Sequence, residues 1–168
     1  MGNQQLDKLE EYLEDWIKQL NSPNNDNQGP LCPYAKSTWD NSRAKIVKCP
    51  QYNILQFWAA VAEECEDFDT DDDITIVASD TIYDPFEVAA VVDALNVYLS
   101  TQNKDIWLLA SCNNFYSMVF VQQITKLDDA SKVLENTPYY AKMHPEKFNE
   151  YITRRRTLRN NLQRKTNE

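Results

Sequence analysis

Ile74-Thr75-Ile76-Val77-Ala78, followed after a short turn by Asp84-Pro85-Phe86-Glu87-Val88, is the stretch that decides the fold class. A run of β-branched and apolar residues with no polar alternation is the pattern of a strand covered on both faces. Behind it stand an Asp at the N-cap position, a proline where the first helical N–H needs no partner, and a glutamate three residues after the cap. Val88, Val91, Val92, Leu95 and Leu99 then recur at helical spacing and mark a buried stripe. A covered strand leading into such a helix is the repeating unit of a sheet with helices on its faces.

The same pattern extends in both directions. Upstream, residues 44–49 (Ala-Lys-Ile-Val-Lys-Cys) predict a strand, with Asn53 as N-cap and Ile54, Phe57, Trp58 and Val61 on one face of a helix that stops near Phe68. Before it, Leu6, Leu9, Leu13, Trp16, Ile17 and Leu20 predict an amphipathic helix, closed by a Pro- and Asn-rich loop over 21–30. Downstream, Asp105 leads into a strand over 106–110. The Cys112-Asn113-Asn114 turn then folds residues 115–121 back as a hairpin partner. Two helices close the chain, one capped by Thr125 with Asp128 at its third position, the other running from Pro145 through Arg159. The predicted class is α/β, bordering on α+β: a single domain with a mixed four-stranded sheet in the order α-β-α-β-α-β-β-α-α. Strands joined through helices are expected to pair in parallel, and the hairpin in antiparallel fashion. Residues 1–150 form the compact domain, and 151–168 the basic end of the last helix and a tail. Binding crevices of such sheets lie beyond the carboxyl ends of the parallel strands, which puts Cys49, Ser79, Asp80, Ser111 and Cys112 on one rim.

Composition removes several functions. The 168 residues contain two glycines, Gly2 and Gly29, neither between a predicted strand and helix. Dinucleotide fingerprints, phosphate loops and nucleophile elbows all need glycine there. Gly2 is not followed by the Ser or Thr of a myristoylation signal, since Leu6 stands in that place. The four cysteines, Cys32, Cys49, Cys65 and Cys112, are too scattered for a paired ligand motif, and His144 is the one histidine. The expectation is reduced thiols, no metal and no cofactor. No apolar run reaches the ~20 residues of a membrane span, so the chain is expected to be cytoplasmic, without membrane contact.

The most individual segment is Leu31-Cys32-Pro33-Tyr34-Ala35-Lys36. Proline after a cysteine removes one backbone donor and starts a turn directly behind the sulfur. Glutaredoxins also place Cys-Pro-Tyr at the active site, but after a strand and with a second cysteine where this chain has Ala35. The segment resembles instead an uncharacterised bacterial domain-of-unknown-function family, marked by a Trp-containing N-terminal helix followed by Leu-Cys-Pro-Phe-Ala-Lys. Trp16 and residues 31–36 match that hallmark, with Tyr34 for Phe. A looser similarity runs through Asn136-Thr137-Pro138-Tyr139-Tyr140 to Met143-His144. The resemblance implies a shared fold and marks Cys32 and His144 without naming a reaction.

Two functional expectations follow. In the first, the chain is a thiol-dependent enzyme acting on a small molecule. Cys32 is the nucleophile and His144 the base, with Tyr34, Lys36, Trp39, Asp80, Tyr139 and Tyr140 lining the substrate site. In the second it is a non-catalytic binding or assembly protein, accessory or virion-associated, that uses charge. The net charge is −9; residues 151–168 hold six cations against Glu168, which gives +5 there and leaves −14 for residues 1–150. Such a basic end suits self-association or an acidic partner, while the acidic remainder disfavours nucleic acid. The acidic run from Glu63 to Asp73 carries an Asp69-x-Asp71-x-Asp73 spacing similar to a calcium loop, but Ile74 and Asp80 occupy the places of its glycine and glutamate. It reads as a solvated loop.

Overall fold

The computed structural model describes residues 3–20, 35–49, 54–68, 71–141 and 144–166. In chain order these form α1 (Asn3–Leu6), α2 (Leu9–Leu20), α3 (Ala35–Asp40), β1 (Ala44–Cys49), α4 (Ile54–Glu66), β2 (Ile74–Ser79), α5 (Pro85–Thr101), β3 (Trp107–Cys112), β4 (Ser117–Gln122), α6 (Ile124–Glu135), a 3-10 turn (Pro138–Tyr140), α7 (Pro145–Phe148), a π-helical turn (Asn149–Thr153) and α8 (Arg154–Thr166). The class is that of an α/β sheet protein, and the sheet is mixed and four-stranded as the pattern predicts.

The strand order is β1-β2-β4-β3. β1 pairs with β2 in parallel, and β4 is antiparallel to both of its neighbours. One expectation is corrected here: β2 and β3 point the same way but do not pair, because the hairpin folds its second strand into the gap between them. Asn113 closes that hairpin, its Oδ1 accepting from the N–H groups of Phe115 at 2.8 Å and Tyr116 at 2.9 Å.

Both crossovers, β1-α4-β2 and β2-α5-β3, advance in one direction along the sheet. Right-handed connections of that kind put their helices on one face. That face holds Phe57 and Val61 of α4 and Val88, Val92 and Leu99 of α5 over Val77, Leu108, Val119 and Val121. The opposite face packs Leu9 and Leu13 of α2 and Ile124 and Leu127 of α6 onto Ile74, Ile76, Leu109 and Phe120. Leu158 and Leu162 of α8 join this second core, and Trp16 stacks on Phe120 at 5.9 Å. The charge boundary drawn at residue 150 thus falls inside a helical segment that packs on the domain core.

Helix ends obey local chemistry where the sequence is explicit. Asp84 accepts from the N–H of Phe86 at 2.8 Å and of Glu87 at 3.3 Å, which satisfies orphan donors of α5. At the other end Asn103 takes φ 56°, a left-handed position open to asparagine in a glycine-poor chain. The Asn103 and Lys104 N–H groups return to Ser100 and Leu99 carbonyls, closing the helix. α6 differs from expectation: its N-cap is Gln123, without a side-chain cap, and Thr125 lies inside the first turn. The cap comes from Asp105, which accepts from Thr125 N at 2.9 Å and Thr125 Oγ1 at 2.6 Å.

Candidate functional site

Of the expected rim, Cys49, Ser79 and Cys112 align at the carboxyl ends of the parallel strands, joined by Ser117, whereas Ser111 pairs one place earlier with Met118 and falls on the opposite face. Cys49, Ser79, Ser117 and Cys112 lie in register across all four strands, their side chains on the α4/α5 face. Ser117 is the member that the sequence does not announce, since it belongs to the inserted strand. Both serines are fully buried and serve the 80–84 loop: Ser79 Oγ accepts from Thr81 N at 3.1 Å, and Ser117 Oγ from Tyr83 N at 2.9 Å. Tyr83 packs on Phe57 at 5.5 Å, its hydroxyl buried without a hydrogen-bond partner among the described residues. Burial raises the Cys49 and Cys112 thiols above their ordinary values. The same cause, with Glu66 and Glu64 nearby, pushes Cys65 up to about 12. A thiol acts as a nucleophile when deprotonated, so these three cysteines are packing groups at neutral pH.

Of the other described candidate residues, Asp80, next after Ser79, lies at this rim, and the rest do not. Trp39 follows the Cys-Pro-Tyr-Ala segment in α3 and packs on the second core. Its neighbour Thr38 donates to Asp73 Oδ2 at 3.2 Å, at the amino end of β2. Asp80 sits just beyond the carboxyl end of that strand, about 20 Å away at ~3.3 Å per residue. Tyr140 lies against α6 and α7, donating to Ser131 Oγ at 3.2 Å and meeting the Phe148 ring edge to face at 5.7 Å. His144 is the exposed N-cap of α7; its Nδ1 accepts from Glu146 N at 3.3 Å. Cys32 and Tyr34 lie outside the described residues, as do the side chains of Lys36 and Tyr139.

A second concavity runs along the free edge of β3. It encloses about 70 Å³ between α5 and the π-helical turn, lined among others by Trp107, Ala110, Tyr151 and the Asp93–Arg154 ion pair. Such a volume holds about two waters and falls well below the ~300 Å³ of an ordinary ligand pocket. Its most informative member is Asn96. The buried amide donates to Leu108 O at 2.9 Å and accepts from Leu108 N at 2.8 Å, so one side chain reproduces the hydrogen bonds of a neighbouring strand. The groove is edge protection.

The basic segment is engaged inside the molecule. Arg154 pairs with Asp93, Arg155 donates to Ser131, Arg156 binds Asp128 and Glu135, and Arg159 binds Asp128 and Asp129. Asp128 is the hub, fully buried, with Lys132 as its third cation. Burial by itself would push its carboxyl up, but the hydrogen bonds from Arg159, Arg156 and Lys132 prevail and hold it below the usual carboxylate range. Four of the six cations that suggested a docking arm therefore fasten α8 to the body. The acidic run is likewise partly structural: buried Asp73 pairs with Arg43 and Lys126, and Glu64 with Lys45. Among the described residues, no three acidic, His or Cys side chains group to hold a metal. No helix among them is long and apolar enough to cross a membrane.

What the surface does expose is the outer side of α5. Its seventeen residues carry two charges, Glu87 and Asp93, and no cation. Val88, Val92, Asn96 and Leu99 face the sheet, while Phe86, Val91, Val97 and Tyr98 are exposed. Helical spacing places Val91 on the inward stripe with Val88, Val92 and Leu99, whereas in the fold Val91 is exposed. A helix apolar on both sides is the pattern of an element covered on both sides. No protein-family model, curated protein or solved structure matches the chain.

Proposed function

We propose that this protein is a non-catalytic binding and assembly module whose working surface is the outer side of α5. The observation that carries this reading is that helix, apolar toward the sheet and apolar toward solvent. Exposed large apolar side chains gathered on one helix mark interaction sites when they form a patch. The charge pattern supports it in a different way from that expected: the basic segment fixes α8 to the body and leaves the acidic surface as a solubilising background.

The competing reading is the Cys32 and His144 enzyme, and one experiment separates the two. Alkylation of the full chain by iodoacetamide is followed at each cysteine by mass spectrometry across pH. A thiol without catalytic activation reacts at a rate that climbs through a pKa near 8.5. The binding reading expects Cys32 to follow that curve, unchanged by His144→Ala. A Cys32 rate that levels off below pH 7, and moves when His144 is replaced, overturns it in favour of the enzyme.

A further inference from the structure

We infer that the partner of the α5 face is a second copy of this chain, docked through a two-fold antiparallel α5–α5 contact centred on Ala94. This rests on the binding reading above and names its partner. Three properties of the helix carry it.

The first is area. Phe86 is 84% and Tyr98 58% exposed. With aromatic side chains worth about 150–250 Å² each, these two alone present roughly 300 Å². Ala90, Val91, Ala94 and Val97 extend the stripe along a helix ~25 Å long. Together they supply a large part of the ~800 Å² per partner that a standard interface uses.

The second is shape. Val91 and Tyr98 lie on one flank of the outer face and Phe86 and Val97 on the other, so in an antiparallel pair centred on Ala94 the Val91 of one copy lies beside Tyr98 of its mate, and Phe86 beside Val97. Small meets large and apolar meets apolar, as a self-complementary two-fold interface requires. The alanine on the axis lets the two helices approach to the ~8 Å lower limit of helix packing.

The third is charge. The same centring sets Glu87 against the Thr101 hydroxyl rather than against a second carboxylate. Asp93, the other acid of α5, is already paired with Arg154 at 2.9 Å. No like charges are pressed together, although each copy carries −9 overall. An acidic partner would meet Glu87 as a like charge, and a strongly basic one would find Glu87 alone to pair with on this stripe.

The test is the mass of the full chain by sedimentation equilibrium as concentration rises, for wild type, Ala94→Glu, Tyr98→Lys and Val133→Glu. The last replaces an exposed valine of α6. Wild type and Val133→Glu are expected to reach twice 19.6 kDa, and both α5 variants to remain at the single-chain mass with unchanged circular dichroism. Tyr98→Lys keeps the test decisive if Ala94→Glu does not fold. A wild type that stays at the single-chain mass at every concentration overturns the inference. So does a dimer that survives both α5 substitutions. In either case an unactivated Cys32 leaves the binding reading intact with another partner, whereas an activated Cys32 removes that reading itself.

Discussion

Asp128 shows how far a side chain's role can depart from its local sequence. Placed three residues after Thr125, it reads as part of a helix cap, yet it is the buried acceptor for Arg156, Arg159 and Lys132. The two arginines lie about thirty residues downstream, and nothing in the sequence around 125–135 indicates that α8 returns to this place. Asp128→Asn leaves those guanidinium groups short of a charge, although Glu135 and Asp129 still hold one each. The expected loss of stability is about 3 kcal/mol, the lower end for breaking a buried ion pair. The pH dependence has a definite sign. The folded carboxyl titrates below its unfolded value of about 3.9, so the stabilisation is whole above that pH and drains away as pH falls through the folded value. Urea midpoints measured from pH 6 down to pH 3 are expected to fall for wild type and to fall less for Asp128→Asn. Parallel curves would show that Asp128 is not the acid-sensitive group.

Elements with self-contained signals form where their residues predict. β1 spans 44–49 as expected, α5 starts at the Asp84-Pro85 cap, and the hairpin turns at Asn113. What local patterns do not carry is the element's neighbours. The place of β4 between β2 and β3 depends on which free edge the hairpin finds, a choice made by tertiary packing. The start of α6 is capped by Asp105 from the loop before β3, and the edge of β3 by Asn96 from α5. Both are short polar side chains that look like ordinary turn or helix residues until the fold brings them to an unpaired backbone group. The two edges of the sheet are managed differently. On β1, Lys45 and Lys48 project to opposite faces and pair with Glu64 of α4 and Glu10 of α2, while charged side chains on an edge discourage further strand addition. On β3 the protection is a single amide. Asn96→Leu keeps the volume but leaves the buried Leu108 N–H and C=O unpaired, at about 1–3 kcal/mol for each group. The expected outcome is a lower Tm together with concentration-dependent aggregation on mild heating. A variant with wild-type Tm and solubility would mean that Asn96 does not guard the edge.

At the scale of the whole chain, opposite charge in the two parts reads as a molecule with a basic arm. In the folded protein the arginines and carboxylates meet, and the arm becomes a strut across α6. The candidate site divides in the same way. The rim of Cys49, Ser79 and Cys112 follows from strand order and is present, but its thiols are raised by burial and its serines hold a loop. Trp39 and Asp80 fall at opposite ends of β2 because α3 enters at the start of the sheet. The exposed side of α5 is not legible in the sequence for a simple reason. The inward stripe of Val88, Val91, Val92, Leu95 and Leu99 follows from spacing, and of these Val91 turns out exposed; Phe86, Val97 and Tyr98 fall off that stripe, but spacing alone does not show that nothing in the fold covers them. The register proposed for α5 is open to a direct measurement: disulfide capture of Ala94→Cys under mild oxidation, with Val133→Cys as the control for random collision. A disulfide needs Cα atoms within about 7 Å, a separation that an antiparallel pair centred on Ala94 provides at that position. A covalent dimer forming rapidly with Ala94→Cys and slowly with Val133→Cys is the predicted result. Equal, slow capture at both positions would contradict the two-fold α5 contact.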